Sequence, residues 1–325
     1  MDDNRSQQGE GREIRVERMV MGALASRQGD GVLSCTSGVS EAAGNLCALM
    51  DEGTPSEYAS FYVLRTPNVP WSTLLHVQGD FMSFSNGVRR YTTRAVYECS
   101  DAQLEEAGGY APLLDVLDGM RVYEKADYAA NDKYRTKEAT QEELSPQEQV
   151  LCGCVAYCLT HRRPLWIKLG EDECHYGDEL RRSWRLHSLL HVVDRLPVAW
   201  RRQVSLAFSV DCCCPGTRAL LPQMQLVAFH GAVPVCEETD SKAVAVDWTS
   251  EQLHWSDGNL PDMKSWVTEW ERLDEVPIVP EPVLPTRETL PTEEEKTEAH
   301  PRTWSMMVLV VLVAMLAVLL YFIIR

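Results

Sequence analysis

Three cysteines and a histidine that lie close together in the sequence could bind a metal ion. If the segment is helical, Cys154, Cys158 and His161 share one helix face at spacings of i, i+4 and i+7, with Cys152 nearby. Thiolate and imidazole are the ligands that zinc prefers. However, structural zinc sites usually draw ligands from two separate elements, and this segment is apolar on all sides, which is typical of a buried helix. We therefore predict reduced thiols that pack as small apolar side chains and no bound cofactor, with zinc as the alternative.

The other cysteine and histidine patterns do not define a catalytic site. His187 and His191 have helical i, i+4 spacing, but the glutamate that a metalloprotease places after the first histidine is missing. Neighbouring side chains of an extended chain point in opposite directions, so the run 212–214 of three cysteines cannot face one ion. A cysteine nucleophile paired with a distant histidine stays open, because eleven cysteines and eight histidines single out no pair. Phosphate-binding, dinucleotide-binding and serine-hydrolase motifs are absent from the sequence, so no catalytic residue is assigned and the enzyme question stays open.

A cluster of arginines is the candidate binding surface. Arg181, Arg182 and Arg185 fall on the polar side of a predicted amphipathic helix, in a chain with 31 basic and 48 acidic residues and a net charge of −17. The overall acidity argues against general nucleic-acid binding. Within an acidic protein, the local cluster suggests a docking face for an acidic partner or a phosphate-bearing group. The alternative is an ordinary solvated helix face.

Periodicity predicts a mixed α/β fold of the α+β type, with mixed sheets and packed helices. Apolar residues at i, i+3, i+4 and i+7 predict the amphipathic helix over 178–196. Strict alternation over 204–210 predicts a strand with Val204, Leu206, Phe208 and Val210 on one face. Further strands are predicted over 12–22, 32–35, 58–65, 74–78, 92–97, 165–169 and 223–230. Further helices are predicted after the caps Ser40 and Ser100, from Pro112, over 145–162 and over 261–273.

Changes in composition divide the chain. We predict a disordered N-terminus over 1–11, an α/β subdomain over 12–123, a polar connector over 124–146 and a second α/β subdomain over 147–275. A linker rich in proline and glutamate follows over 276–303. Proline-rich chain extends by about 3.1 Å per residue, so the segment from Pro277 to Pro301 could span up to about 75 Å.

The residues from Met306 to Ile324 predict a transmembrane helix. They form an uninterrupted run without charge inside the final segment, 304–325. At a rise of about 1.5 Å per residue the run reaches roughly 28 Å, close to the thickness of a bilayer core. The N-terminal residues do not resemble a secretion signal. We therefore expect a single-pass C-terminal anchor with the N-terminal body in the cytoplasm.

Several short segments resemble the N-terminal domain of bacterial GTPase-associated proteins. The resemblance comes from residues 16–22 and 31–40, where a strand ending in glycine precedes a second strand and a Ser-x-Gly turn, and from the strand 61–65. The segment 195–209, with its Leu-Pro, arginine and Ser/Phe strand, is also similar. The similarity covers roughly 12–230, and the membrane anchor departs from the family.

The resemblance implies an adaptor or regulator that acts with a GTPase or other NTPase in a bacterial, defence-like system. Together with the long linker, it leads us to expect a membrane-anchored interaction protein that faces the cytosol and binds a protein partner. The alternative is a membrane-tethered hydrolase or cysteine protease with a Cys–His or metal site.

Overall fold

The computed structural model describes most of the chain before the linker. The described residues are 13–23, 30–50, 58–66, 69–84, 87–117, 128–129, 132–135, 143–171, 174, 180–231, 243–255 and 270–273. The elements in these ranges all belong to one compact unit, Met1–Ile278.

Twelve strands in the described ranges form one sheet, in the spatial order β12-β11-β8-β10-β9-β3-β4-β5-β1-β2-β6, with β7 paired to β1. The strands are β1 Glu13–Ala23, β2 Asp30–Thr36, β3 Ser60–Arg65, β4 Trp71–Phe84, β5 Gly87–Ser100, β6 Tyr128–Ala129, β7 Asp132–Arg135, β8 Leu165–Leu169, β9 Leu206–Asp211, β10 Leu226–His230, β11 Val244–Trp248 and β12 His254–Trp255.

The helices of the described part cover both faces of this sheet. They are α1 Glu41–Leu49, α2 Asp101–Ala107, α3 Tyr110–Leu117, α4 Pro146–Thr160, α5 Trp184–Arg195, α6 Val198–Arg201 and α7 Pro215–Leu220, with 3-10 turns at Leu180–Arg182 and Leu221–Gln223. Helices α2 to α5 contribute to the larger hydrophobic core on one face. Helices α1 and α7 contribute to a smaller core on the other face.

The two halves of the sheet differ in strand direction. Strands β1 to β5 pair only in antiparallel fashion with one another and meet the other half where β3 pairs antiparallel with β9. Strands β9, β10, β8 and β11 are parallel. Parallel strands need long crossover connections, and α5 and α7 lie in those connections. The predicted mixed α+β fold, with a mixed sheet and several helices, is confirmed.

Strands from both predicted subdomains belong to this one sheet. Strand β3 from the first pairs with β9 from the second, with Phe61 opposite Phe208. The hydroxyl of Ser60 in turn donates to the carbonyl of Ser209 at 2.8 Å. Backbone hydrogen bonds between β3 and β9 therefore connect the two predicted subdomains.

The sequence prediction for 178–196 is wrong at its N-terminal end. Leu180–Arg182 forms a 3-10 turn, and α5 begins only at Trp184. Ser183 caps α5, because its hydroxyl accepts a hydrogen bond from the amide of Leu186 at 3.1 Å. A serine in this role starts a new helix rather than continuing an earlier one.

The predicted alternation over 204–210 fails at Val210. Leu206 and Phe208 lie in the larger core, as expected, but Val210 lies in the smaller core on the other face. The register between β9 and β10 shifts between Val227 and Phe229, and Ser209 has a left-handed backbone with φ of 57°. This bulge adds one residue to β9 and reverses the direction of the side chains that follow it.

The predicted linker and anchor, 276–303 and 304–325, lie outside the described residues, as does most of the predicted helix 261–273, of which 270–273 is helical. Within the described ranges, no helix has both the length and the apolar character needed to cross a bilayer.

Candidate functional site

The carboxyl ends of the four parallel strands lie at one edge of the sheet. Ligands of open α/β sheets usually bind at this edge, where loops after neighbouring strands diverge. In this chain, β9 ends at Asp211, β10 at His230 and β11 at Trp248. In the order β11-β8-β10-β9, the chain runs from β8 to β9 in one direction across the sheet and from β10 to β11 in the other. The connections after the neighbouring strands β8 and β10 therefore diverge, and this arrangement opens a crevice.

A serine and a histidine contact each other at this edge. The bulge in β9 turns the hydroxyl of Ser209 towards His230, and Ser209 Oγ lies 2.9 Å from His230 Nε2. Tyr58 stacks on the imidazole, with ring centroids 3.8 Å apart. A histidine at this distance could accept a serine proton in nucleophilic catalysis. Both side chains are buried, however, with Ser209 0% and His230 3% exposed.

The structure places one of the three predicted docking arginines, Arg185, against an exposed tryptophan. The guanidinium carbon of Arg185 lies 4.6 Å from the centre of the Trp184 ring and 5.9 Å from that of Trp248. Arg185 also donates to the carbonyl of Ser250 at 3.0 Å, so this arginine is ordered by the fold. Arg182 is exposed in the preceding 3-10 turn.

Trp184 itself is 42% exposed, although it makes an edge-to-face contact with Trp248 at 5.4 Å. The backbone of Arg181 lies in the same 3-10 turn as Arg182, and its side chain lies outside the described part. The predicted cluster therefore lies on a turn and on the first residues of α5, not along one helix face. We call Arg182, Trp184 and Arg185 the Trp/Arg patch.

The candidate zinc ligands do not form a site in the described residues. Cys154 and Cys158 are buried in the larger core, and burial raises the pKa of Cys158 to about 12 and that of Cys154 well above its usual value. His161 is exposed at the end of α4, stacked on Tyr157 with ring centroids 4.1 Å apart. Zinc binds the deprotonated thiol, which this apolar environment disfavours. Among the residues that the structure describes, no three histidine, cysteine or acidic side chains are grouped as metal ligands would be.

The two histidines of α5 contact separate carboxylates. His187 Nε2 lies 3.6 Å from Asp115 of α3, and His191 Nδ1 lies 3.0 Å from Glu148 of α4. These contacts join α5 to two neighbouring helices.

A cavity of about 320 Å³ lies at the opposite, amino edge of the parallel strands. Its walls come from the end of α4, from the segment between α6 and β9 and from the turn before β10. The described lining residues are Cys158, Leu159, Arg162, Arg163, Pro164, Trp166, Trp200, Gln203, Val204, Leu221, Pro222, Met224 and Gln225. No pattern in the sequence indicates this cavity, because the segments that line it are far apart in the chain.

No protein-family model matches the chain, and no curated protein matches its sequence.

Proposed function

We propose that this chain is a membrane-anchored adaptor or regulatory protein that faces the cytosol and binds an acidic protein partner through the Trp/Arg patch. The exposure of Trp184 next to Arg185 is the observation that carries the proposal. Tryptophan and arginine are enriched among the residues that dominate binding energy at protein interfaces. Arg185 is held by Trp184, Trp248 and Ser250, so little side-chain entropy is lost when a partner binds it.

Charge supports the choice of an acidic partner. The chain carries a net charge of −17, which repels an acidic protein in general. A local positive patch attracts and orients such a partner, chiefly by raising the association rate. The resemblance to bacterial GTPase-associated proteins suggests a GTPase or another NTPase as this partner.

The uncharged run from Met306 to Ile324 supports the membrane location. Proline-rich chain is extended, so a linker of this composition is long enough for a tethered body to reach a cytosolic protein. Tethering confines the partner to the membrane surface, which is a regulatory effect that requires no chemistry by the adaptor.

The test compares two double variants of the full chain. Arg182→Ala/Arg185→Ala removes two charges from the patch, and Arg195→Ala/Arg218→Ala removes two charges from exposed sites at the other end of α5 and on α7. The first variant should recover less of the native partner in pull-down and should bind the purified partner more slowly, with a weaker dependence on salt. The control should bind like the native chain. Equal binding by the native chain and both variants would rule out the patch as the docking surface.

A tethered hydrolase is the second candidate, and the contact between Ser209 and His230 favours it. A serine activated by histidine reacts covalently with a fluorophosphonate probe. The adaptor proposal expects no labelling of Ser209, because its hydroxyl is buried. Labelling that disappears in Ser209→Ala, while the variant keeps its native thermal stability, would favour the hydrolase.

A further inference from the structure

The end of helix α4 has an unusual residue at its terminating position. The amide of Arg162 donates to the carbonyl of Leu159 at 3.2 Å, and the amide of Arg163 donates to that of Cys158 at 2.8 Å. These two bonds define a Schellman motif, in which the residue at the position of Arg162 adopts a left-handed backbone and is usually glycine. Arg162 has a φ of 54°, so an L-amino acid carries a steric penalty here that glycine avoids.

Arg162 and Arg163 both line the cavity at the amino edge of the sheet. Residues with strained backbones concentrate at binding sites, where the surrounding structure holds them in the strained conformation. Arg163 is oriented by a hydrogen bond from its Nη2 to the carbonyl of Ala243 at 3.3 Å. Arg162 and Arg163 thus place two cationic residues at one end of the cavity, and the side chain of Arg163 is held there.

The sign of charge in the cavity follows from its lining. The described lining residues include two arginines and no carboxylate. The C-terminus of α4 contributes about half a negative charge, which two guanidinium groups outweigh. The cavity therefore favours an anion, although the chain as a whole is acidic.

The size of the cavity and its other lining residues indicate what kind of anion fits. Trp166 and Trp200 provide flat apolar surfaces, and the indole of Trp200 is fixed by a hydrogen bond to the carbonyl of Leu273 at 2.8 Å. Gln203 and Gln225 add amide groups that can bond to ring heteroatoms. A volume of about 320 Å³ lies at the lower end of the range for small-molecule sites, roughly 300 to 1,000 Å³.

We propose that this cavity is a binding site for a small planar heteroaromatic anion, a ring compound that carries a carboxylate or a phosphate. The guanidinium groups bind the anionic group, and the indole rings contact the ring system. This site goes beyond the proposed docking function, because it lies at the opposite edge of the sheet from the Trp/Arg patch and uses different residues.

The test uses matched pairs of small molecules with the full chain in a neutral detergent. The pairs are adenosine 5′-monophosphate with adenosine, nicotinate with nicotinamide, and indole-3-acetate with indole-3-acetamide, and inorganic phosphate is added alone. At least one anion should bind about tenfold more tightly than its neutral counterpart, because the neutral compound lacks the charge-assisted hydrogen bond. The same anion should also bind about tenfold more tightly than inorganic phosphate, because phosphate lacks the apolar contacts with the indole rings. Calorimetry measures the affinities.

Two variants at one position separate binding from folding. Arg162→Ala and Arg162→Gly both delete the guanidinium group, and each should reduce the affinity for the anion about tenfold. Only the glycine variant removes the backbone strain, so it alone should melt about 2 °C higher than the native chain. Arg195→Ala, at the end of another helix, is the control and should bind normally.

Two results would overturn the proposal. One is that no anion in the three pairs binds more tightly than its neutral counterpart and inorganic phosphate. The other is that the preference for the anion persists in both Arg162 variants.

Discussion

Arg65 carries a buried positive charge that its neighbours compensate. Its side chain is 1% exposed and donates to Asp101 at 2.7 Å, to the hydroxyl of Ser72 and to the carbonyl of Arg202. Ser72 in turn contacts the hydroxyl of Tyr110 at 2.8 Å. The guanidinium of Arg202, half exposed, bonds to the second oxygen of Asp101 at 2.8 Å. One carboxylate thus pairs with a buried cation and an exposed cation.

Removing either end of this network should have very different consequences. Asp101→Ala leaves the charge of Arg65 buried without its carboxylate and should lower the free energy of unfolding by about 3 to 5 kcal/mol. Arg202→Ala removes the exposed partner of the same carboxylate and should cost at most about 1 kcal/mol. Urea denaturation of the two variants measures the difference. Similar small losses in both would show that the buried pair contributes little.

Asp194 holds the beginning of α3 from a neighbouring helix. Its two carboxylate oxygens accept hydrogen bonds from the amides of Tyr110 at 2.7 Å and Ala111 at 2.9 Å. Gly109 makes the approach possible, because a Cβ atom there would collide with the carboxylate, and its φ of 124° suits glycine. Burial raises the pKa of Asp194 from 3.8 to about 6, against the opposing effect of these two hydrogen bonds.

This shift predicts a pH dependence of stability. Between about pH 4 and pH 6, the folded state holds a proton on Asp194 that the unfolded state has released, so stability falls as the pH rises through this window. Asp194→Asn cannot titrate and should lack that part of the fall. Urea unfolding of both proteins from pH 4 to pH 7 isolates the effect, since the other carboxyl groups are common to both. Parallel curves would mean that the pKa of Asp194 is not raised.

At the scale of elements, α4 shows how an apolar sequence determines the state of its cysteines. The helix begins with a capping box in which Ser145 and Glu148 exchange hydrogen bonds, and it is buried over 151–156 and at Cys158 and Leu159. Burial raises the pKa of Cys152 to about 12, as it does for Cys158. Thiols in such surroundings stay protonated and unreactive.

Thiol labelling should follow this burial. In the native protein a maleimide should modify Cys213, which is exposed, and should modify Cys152, Cys154 and Cys158 only after denaturation. Mass spectrometry of the labelled peptides gives the order. Elemental analysis of the same sample should find no stoichiometric zinc. Zinc that is present in the native chain and lost in Cys154→Ser/Cys158→Ser would contradict the prediction.

For the whole molecule, the main prediction is that the body folds without the predicted anchor and that the anchor alone holds the chain in the membrane. A version of the chain that ends at Glu275 retains all the described elements and should be folded and soluble. The full chain should remain with membranes after an alkaline wash, because a run of about 20 apolar residues inserts stably. Fractionation followed by circular dichroism tests both expectations. Retention of the shortened chain in the washed membranes would place a further anchor in the body.

Features of the fold that depend on near neighbours in the chain can be predicted from the sequence. The sequence predicts Ser40 and Ser100 as helix caps, and each accepts a hydrogen bond from the amide three residues later. The buried strands around Phe61 and Ile167 were likewise evident from their apolar runs. Such features require only local hydrogen bonds and hydrophobic periodicity, which the order of residues specifies directly.

Features that join distant segments become visible only in the folded chain. The bulge at Ser209 arises from the pairing of β9 with β10. The hydroxyl of Ser209 contacts His230, 21 residues later, and its carbonyl accepts a hydrogen bond from Ser60, 149 residues earlier. The capping of α3 by Asp194 and the cavity beside Arg162 also combine segments that are far apart in the chain. No local pattern encodes these contacts, because they arise only when strand order and register bring the segments together.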